Sequence, residues 1–552
     1  MKKYIIGLSI IAAASTLPSC SDYLDLTPTD KVSDKGVWTS ITTAEYAVNS
    51  LYSYLEAVAG NQCVAGMVEG LTDEMKYGSY LYNSYCFIPS EIAYGGSTLT
   101  VTYVDAYLGY WSNNYERVRR VNEALYYLHK YGTLSAEDTK RLEAEIRMVR
   151  AYVYFDLVKR YKDIILYDED LTAITVNKAV TDESTVWDFI QADLEFAGQN
   201  LPAQDKAKGR INSGMAYGFM SRAMLYAERW QEAYDAACEV DKLGYDLEKN
   251  YADSYQLEIC AKNKEAIIQT VFDGTNNITH TFDFYYTPGG DYTLFGQSGG
   301  GYGTPTQEMV ESYELATGGF PDWTPWHAEG VTDTPPYADL EPRFHATILY
   351  NGADWKGRKI ESYVGGGDGF CIWNKEQDPK GRTTTGYYLR KLVDESHDVI
   401  AQSYSTMAKT RLRYAEVLLN KAEAAYRLNK VDDANAAVKK IRERVGLPYT
   451  DKNGEALWTA IKQERRVELA YEGLWYWDLR RWKLSAERYP TGLNGYQVHG
   501  LRIEMQPNGD LVYNYVAVDD RDRNFPEKMY RFPLPINELT SNALVDQYPE
   551  WK

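Results

Sequence analysis

The segment Glu464-Arg-Arg-Val-Glu-Leu-Ala-Tyr-Glu-Gly-Leu-Trp-Tyr-Trp-Asp-Leu-Arg-Arg-Trp-Lys483 constrains the fold more than any other, because it joins a helical stripe to a dense set of charges and tryptophans. Val467, Tyr471, Trp475, Asp478 and Trp482 recur at three- or four-residue spacing, so a continuous helix places them on one face. Glu464, Glu468 and Glu472 recur every four residues and line another. Carboxylates packed this densely beside aromatic rings can be buried only where cations meet them. The spacing predicts a buried, ion-paired helix.

At the other end of the chain, Lys2 and Lys3 precede an apolar run from Ile5 to Ala14 that is too short to span a bilayer. Residues 1–19 read as a secretory signal. The run closes on Leu17-Pro18-Ser19-Cys20, which is similar to a lipobox, where cleavage before the cysteine exposes it for acylation. Cys20 is thus the expected lipidation site and the membrane anchor. The formal charge of -19 becomes -21 once Lys2 and Lys3 are removed. So acidic a chain is not drawn to nucleic acid or to anionic head groups. With Cys20 acylated, five cysteines are left, Cys63, Cys86, Cys238, Cys260 and Cys371, which allow at most two disulfides. None sits at zinc-finger spacing.

Helical periodicity recurs at about 40–58, 105–130, 137–161 and 184–200, with Ser135 or Asp138 as N-terminal cap of the third. Two segments share a pattern: Arg222-Ala-Met-Leu-Tyr226 followed by Ala233 and Ala237, and Ala422-Glu-Ala-Ala-Tyr426 followed by Ala434 and Ala437. Small residues at helix crossings and a tyrosine before a polar break are what tetratricopeptide-like helix pairs need for close approach. The expected fold is therefore mainly α, a tetratricopeptide-like helical repeat scaffold. From 251 to 405 the composition turns Gly-rich and aromatic, with Gly299-Gly-Gly-Tyr-Gly303 and Gly365-Gly-Gly-Asp-Gly369, which predicts an irregular subregion of loops and short strands. Pro305 to Tyr313 resumes a helix, residues 406–485 are helical, and 486–552 form a C-terminal loop segment.

Several of these segments together resemble the SusD/RagB family of surface glycan-binding lipoproteins. The resemblance rests on the 464–483 signature, on Glu145-Ile-Arg-Met-Val-Arg-Ala-Tyr152 with its Tyr-rich continuation, on Pro305 to Tyr313, on Arg531-Phe-Pro-Leu-Pro-Ile-Asn-Glu-Leu539 with Gln547, and on the tether Ser21 to Asp30. Trp475 stands where the family usually has arginine. The resemblance implies one compact body after the signal, with an N-terminal helical region at 20–250 and a C-terminal region at 251–552. It also implies the outer face of the outer membrane, and a SusC-like TonB-dependent transporter as partner.

Sites for chemistry are sparse. Gly296-Gln-Ser-Gly-Gly300 fits the nucleophile-elbow pattern, but glycines follow it where a helix is required. His129, His280, His327, His345, His397 and His499 show no zinc-hydrolase spacing. Asp519-Asp-Arg-Asp-Arg-Asn524 is oxygen-rich, yet it lacks the glycine and closing glutamate of a calcium loop and reads as a solvated, self-paired turn. No metal or cofactor is expected.

A glycan site needs aromatic platforms and short polar groups. The sequence is unusually rich in tyrosine, and most of the 49 tyrosines read as helix packing. The better candidates lie in loop-like stretches: Asp73, Glu74, Tyr77, Tyr80, Tyr82, Asn83 and Tyr85 on one wall, and Tyr292, Phe295, Tyr302, Trp323 and Trp326 on the other. The resulting expectation is a non-catalytic glycan-binding protein. A surface glycoside hydrolase and a helical-repeat interaction scaffold are the alternatives, since the paired carboxylates of a hydrolase can come from anywhere in the chain.

Overall fold

The computed structural model describes residues 34–552 apart from 58–66, 78–86, 97–98, 172–176, 204–208, 260–261, 298, 370–381, 492–494 and 520. Cys20, Tyr80, Tyr82, Asn83, Tyr85 and every cysteine but Cys238 lie outside the described residues; Cys238 is a free thiol.

The scaffold helices are α1 (Ile41–Leu51), α2 (Trp111–Tyr131), α3 (Ala136–Tyr161), α4 (Glu183–Asn200), α5 (Ser213–Tyr226), α6 (Trp230–Asp241), α7 (Tyr414–Arg427), α8 (Val431–Arg444), α9 (Gly454–Glu468) and α10 (Trp475–Arg481). Each of α2 to α5 packs on the next, α5 packs on α6, and α6 meets α7 across the long insertion, so the repeat continues as if residues 242–413 were absent. This is the tetratricopeptide-like stack expected from the small residues. Ala233, Ala237, Ala422, Ala434 and Ala437 are all buried at the crossings.

Helix ends follow local chemistry. Ser135 Oγ accepts the Asp138 N–H at 3.0 Å, so Ser135 is the cap of α3, and Asp182 Oδ1 caps α4 through the Thr185 N–H at 3.0 Å. The stretch expected at 105–130 is two helices, Val101–Tyr107 and α2, separated at Gly109, where Asp105 leaves no room for a β-carbon. Only Gln307–Val310 of the Pro305 to Tyr313 segment is helical, capped by Thr306.

The irregular region carries short antiparallel ladders, as expected. Named strands are β1 (Met75–Tyr77), β2 (Ala266–Thr270), β3 (Gly303–Pro305), β4 (Lys409–Arg413), β5 (His499–Met505) and β6 (Leu511–Ala517). β1 pairs with β3, β2 with β4, and β5 with β6. The last pair corrects the expectation of a C-terminal loop segment: Gln506 to Asp510, with Gly509 at φ +89°, turns a hairpin between two alternating runs. The acidic run after it is self-paired, since Arg523 binds Asp519 at 2.8 Å, but that pair is not solvated: both side chains are buried and Lys76 reaches the same carboxylate at 3.1 Å.

The 464–483 segment is not one helix. α9 ends at Glu468, Tyr471 and Gly473 adopt φ +62° and +78°, and α10 starts at Trp475. In a continuing helix the Glu468 carbonyl would accept the Glu472 N–H; here it accepts Arg413 Nη2 at 2.6 Å and Tyr251 Oη at 2.8 Å. The predicted stripe is split accordingly. Val467 and Tyr471 join a second core beneath the irregular region, while Trp475 joins the helical core.

The expected ion pairing is present. Arg343 binds Glu341, Glu464 and Glu468 at 2.6, 2.5 and 3.0 Å; Arg413 binds Glu265, Glu468 and Glu472 at 2.7, 2.6 and 2.7 Å. Arg444 also grips Glu468, Arg442 joins Glu464 to Glu314, and Lys391 meets Glu472 at 2.8 Å. Burial alone would raise the Glu468 carboxyl, but Arg444, Arg413 and Arg343 hold it well below the usual range. Removing one partner leaves buried charge uncompensated. Arg413→Met is expected to lose about 3–5 kcal/mol of stability, read as a lower urea midpoint at unchanged slope.

Candidate functional site

β1 pairs with β3 in the register Met75 to Pro305 and Tyr77 to Gly303, which ties the stems of the two candidate walls together. The ladder places the stems of the two sequence-predicted stretches side by side, but among the described candidates most side chains are turned inward.

Asp73 is fully buried. It accepts hydrogen bonds from Arg466 Nη2 at 2.8 Å, Tyr489 Oη at 2.8 Å and Trp475 Nε1 at 3.3 Å, and it pairs with Arg488. Burial would raise its carboxyl, but the two guanidiniums hold it far below the usual range. Trp475, the departure from the family pattern, is thus a donor to this carboxylate. Tyr77 lies in the second core, donating to the Met67 carbonyl at 2.8 Å, and its ring lies so close that Gly70 can carry no side chain. Tyr292 donates to the Phe284 carbonyl at 2.8 Å, and Tyr302 packs 4.3 Å from Tyr285; both are buried. Trp323 is buried 5.8 Å from Trp326, with no hydrogen-bond partner for its Nε1 among the described residues.

Asp73, Tyr77, Tyr292, Tyr302 and Trp323 therefore offer no surface to a ligand in this structure. The sequence reading took Gly-rich loops to have little core to fill; these loops close over a core of their own, and glycines at 70 and 299 are there to let tyrosine rings lie flat against backbone. Two candidates do reach solvent. Phe295 is 65 % exposed beside Leu294 at 66 %, and Trp326 is half-buried, its Nε1 donating to the Asp333 carbonyl at 2.9 Å.

Sequence reasoning missed the group next to Trp326. The Tyr515 ring of β6 lies between His327 and His499, at 4.5 and 4.4 Å. His327 and His499 each meet a carboxylate, Glu311 and Glu308, at 2.6 Å. The readable signal was the Pro507-Asn508-Gly509 turn between two alternating runs; the hairpin pairs His499 with Ala517 and Tyr515 with Leu501, so His499 and Tyr515 are diagonal neighbours on one face.

The Gly296 to Gly300 stretch follows a short helix, Gly290–Thr293, and leads into β3, the reverse of the strand–turn–helix order that a nucleophile elbow needs. Among the described residues no cluster of histidine, cysteine and carboxylates is arranged to hold a metal.

Residues 264–551 match the model of the SusD family, and residues 22–225 match a second model described as starch-binding, associating with the outer membrane. The chain belongs to the SusD family. A SusD-like protein of Bacteroides ovatus is 24% identical over 502 residues, covering 86% of this chain and 82% of its own. A solved SusD-like protein of Bacteroides fragilis is 26% identical with TM-score 0.74, covering 95% of this chain and 99% of its own. A SusD-like carbohydrate binding protein from the same organism shares the fold at 22% identity and TM-score 0.75, covering 92% and 100%. A laminarin binding SusD-like protein shares it at 22% and 0.62, covering 93% and 100%. The SusD match spans the hairpin, the broken 464–483 segment and most of the irregular region, so the elements that position the candidate surface belong to the family fold.

Two buried carboxylates flank Asp73. Neither oxygen of Glu74 has a partner among the described residues, and burial followed by the nearby Glu69 pushes it well up. Glu69 accepts the Gly473 N–H at 2.6 Å, and burial pushes it to about 7. Between the ordinary glutamate value and 7 the folded chain holds a proton that the unfolded chain releases, so this group's contribution to stability falls as pH rises through that window. Glu69→Gln is expected to remove about 3 kcal/mol of that decline, measured as urea midpoints for variant and parent across the same pH range.

Proposed function

We propose that this chain is a non-catalytic glycan-capture lipoprotein of the outer-membrane surface, held by an acylated Cys20. It hands oligosaccharide to a SusC-like TonB-dependent transporter. Family membership carries the reading, and two fold relatives whose names state carbohydrate or laminarin binding support it.

The surface chemistry is consistent with this role. Half-exposed rings at Trp326 and along the His327, Tyr515 and His499 stack are suited to the apolar face of a pyranose, and Glu308 and Glu311 are placed to accept from its hydroxyls. Phe295 offers a separate exposed ring. Tyr80, Tyr82, Asn83 and Tyr85, which follow β1 in the sequence, are proposed as further contacts. A few such contacts supply on the order of -4 to -6 kcal/mol, or roughly millimolar to tens of micromolar binding. A tethered protein facing a polymer tolerates this, since repeated epitopes raise the effective affinity.

The test is native electrophoresis of the chain from Ser21 onward in gels containing plant, fungal and host polysaccharides. One polymer should retard the band and stay uncut. Trp326→Ala should weaken that retardation by about fivefold, from about 1 kcal/mol of lost stacking. Release of new reducing ends would sink the non-catalytic reading, and retardation indifferent to Trp326 and Phe295 would sink the proposed surface.

A further inference from the structure

The C-terminal ends of α3, α5 and α10 converge on a cavity of about 50 Å³ that belongs to the helical core and not to the aromatic loops. Just past each helix lies a charged residue in the left-handed region: Lys162 at φ +68°, Glu228 at +57° and Lys483 at +61°. Glycine or asparagine usually takes such positions, because a β-carbon is strained there. Three of the nine non-glycine residues with positive φ among the described residues border this one cavity, so backbone strain is concentrated around it.

The charges are as unusual as the backbone. Lys159, Lys162, Arg480, Arg481 and Lys483 line the cavity against Glu228 alone. Lys162 has Glu183 at 2.8 Å, and Arg481 has Glu423 and Asp478 at 2.6 and 2.8 Å. Lys159 shares Asp156 with Arg160, and Arg480 and Lys483 have no ion-pair partner among the described residues. Aromatic rings and carbonyls hold these three instead. Lys159 Nζ lies 4.4 Å from the Trp477 ring centre, and Arg480 lies 4.3 Å from that of Phe532 while donating to the Met529 carbonyl at 2.9 Å. Lys483 Nζ sits 4.3 Å over Tyr530. Rings attract a cation without cancelling its charge. The three helix ends add about half a negative charge each and Glu228 adds one, against the three cations Arg480, Lys483 and Lys159 that lack a full partner.

We propose that this cavity binds one small oxyanion group, a sulfate, a phosphate or a carboxylate. A water needs about 10–15 Å³ of such space, so the cavity holds one oxyanion and is too small for a pyranose. The ligand would supply the counter-charge that Arg480, Lys483 and Lys159 lack. Proton linkage is consistent with this. Burial, with Arg160 and Arg222 adding to it against Asp156, pushes the Lys159 amine down to about 7. Burial, with Lys162 and Arg480 adding to it against Glu183 and Glu527, lowers Lys483. A bound oxyanion favours both protonated forms, so affinity rises as pH falls through 7. None of this depends on the glycan-capture reading.

Calorimetric titration with sulfate, phosphate and glucuronate, against chloride at equal ionic strength, at about pH 6 and about pH 8.5, spans the Lys159 transition. Lys483→Gly and Glu228→Gly each relieve a left-handed residue, so both should unfold at a higher temperature than the parent in chloride. Sulfate affinity should nevertheless fall about tenfold in Lys483→Gly, the size of one charge-assisted contact, and rise in Glu228→Gly. Binding by glucuronate alone would overturn the proposal, since its pyranose ring does not fit the cavity and the uronate would then sit elsewhere. Heats no larger than those of chloride for all three ligands, or equal affinities in both variants, would overturn it.

Discussion

Everything in this molecule is arranged around the cost of keeping Glu468 charged in the interior. Its two oxygens take guanidinium from Arg343, Arg413 and Arg444, and its carbonyl takes Arg413 again. Those arginines come from the irregular region, from β4 and from α8, so satisfying one carboxylate fixes three parts of the chain at once. The same demand ends α9. Once the carbonyl is committed to Arg413 and Tyr251, the next turn of helix cannot form, and the segment turns through Tyr471 and Gly473 into the other core.

That turn positions the candidate surface. Tyr471 Oη donates to the Glu74 carbonyl at 2.8 Å and the Gly473 N–H to Glu69, so the broken segment holds the stem of β1. β1 in turn holds β3, and Phe295 lies on the chain leading into that ladder, while Trp326 and His327 sit on the turn at 324–327 and His499 and Tyr515 on the β5–β6 hairpin. The root of this ladder is thus set by buried charge, while Phe295 beside it is left to solvent.

How far this was legible in the sequence depended on which interactions were local. Helix periodicity, the Ser135 cap and the alanine crossings are written in neighbouring residues, and α3 and α4 lie within a residue of their predicted bounds. The four-residue spacing of Glu464, Glu468 and Glu472 was enough to foretell buried pairing. It could not foretell that Arg413 would divert a carbonyl, because that contact joins residues 55 apart. The same limit explains the candidate site. Whether a loop tyrosine faces solvent or core depends on partners such as Met67 for Tyr77 and Phe284 for Tyr292, and composition does not encode them. The Asn508-Gly509 hairpin was readable and was passed over in favour of a loop.

The reach of the Asp73 cluster bears on how the chain acquires its shape. Arg466 and Arg488 lie 393 and 415 residues beyond Asp73 in the chain. During synthesis from the N-terminus, Asp73 is an ordinary hydrated carboxylate until almost the whole polypeptide has emerged. The helical repeats can stack from contacts between neighbours, whereas the buried stem around Asp73 needs Arg466 and Arg488 from near the end of the chain. Loop closure over that distance is slow. The stem around Asp73 is therefore joined by contacts of far greater sequence separation than the neighbouring helix pairs of the scaffold, and those contacts carry the larger closure cost.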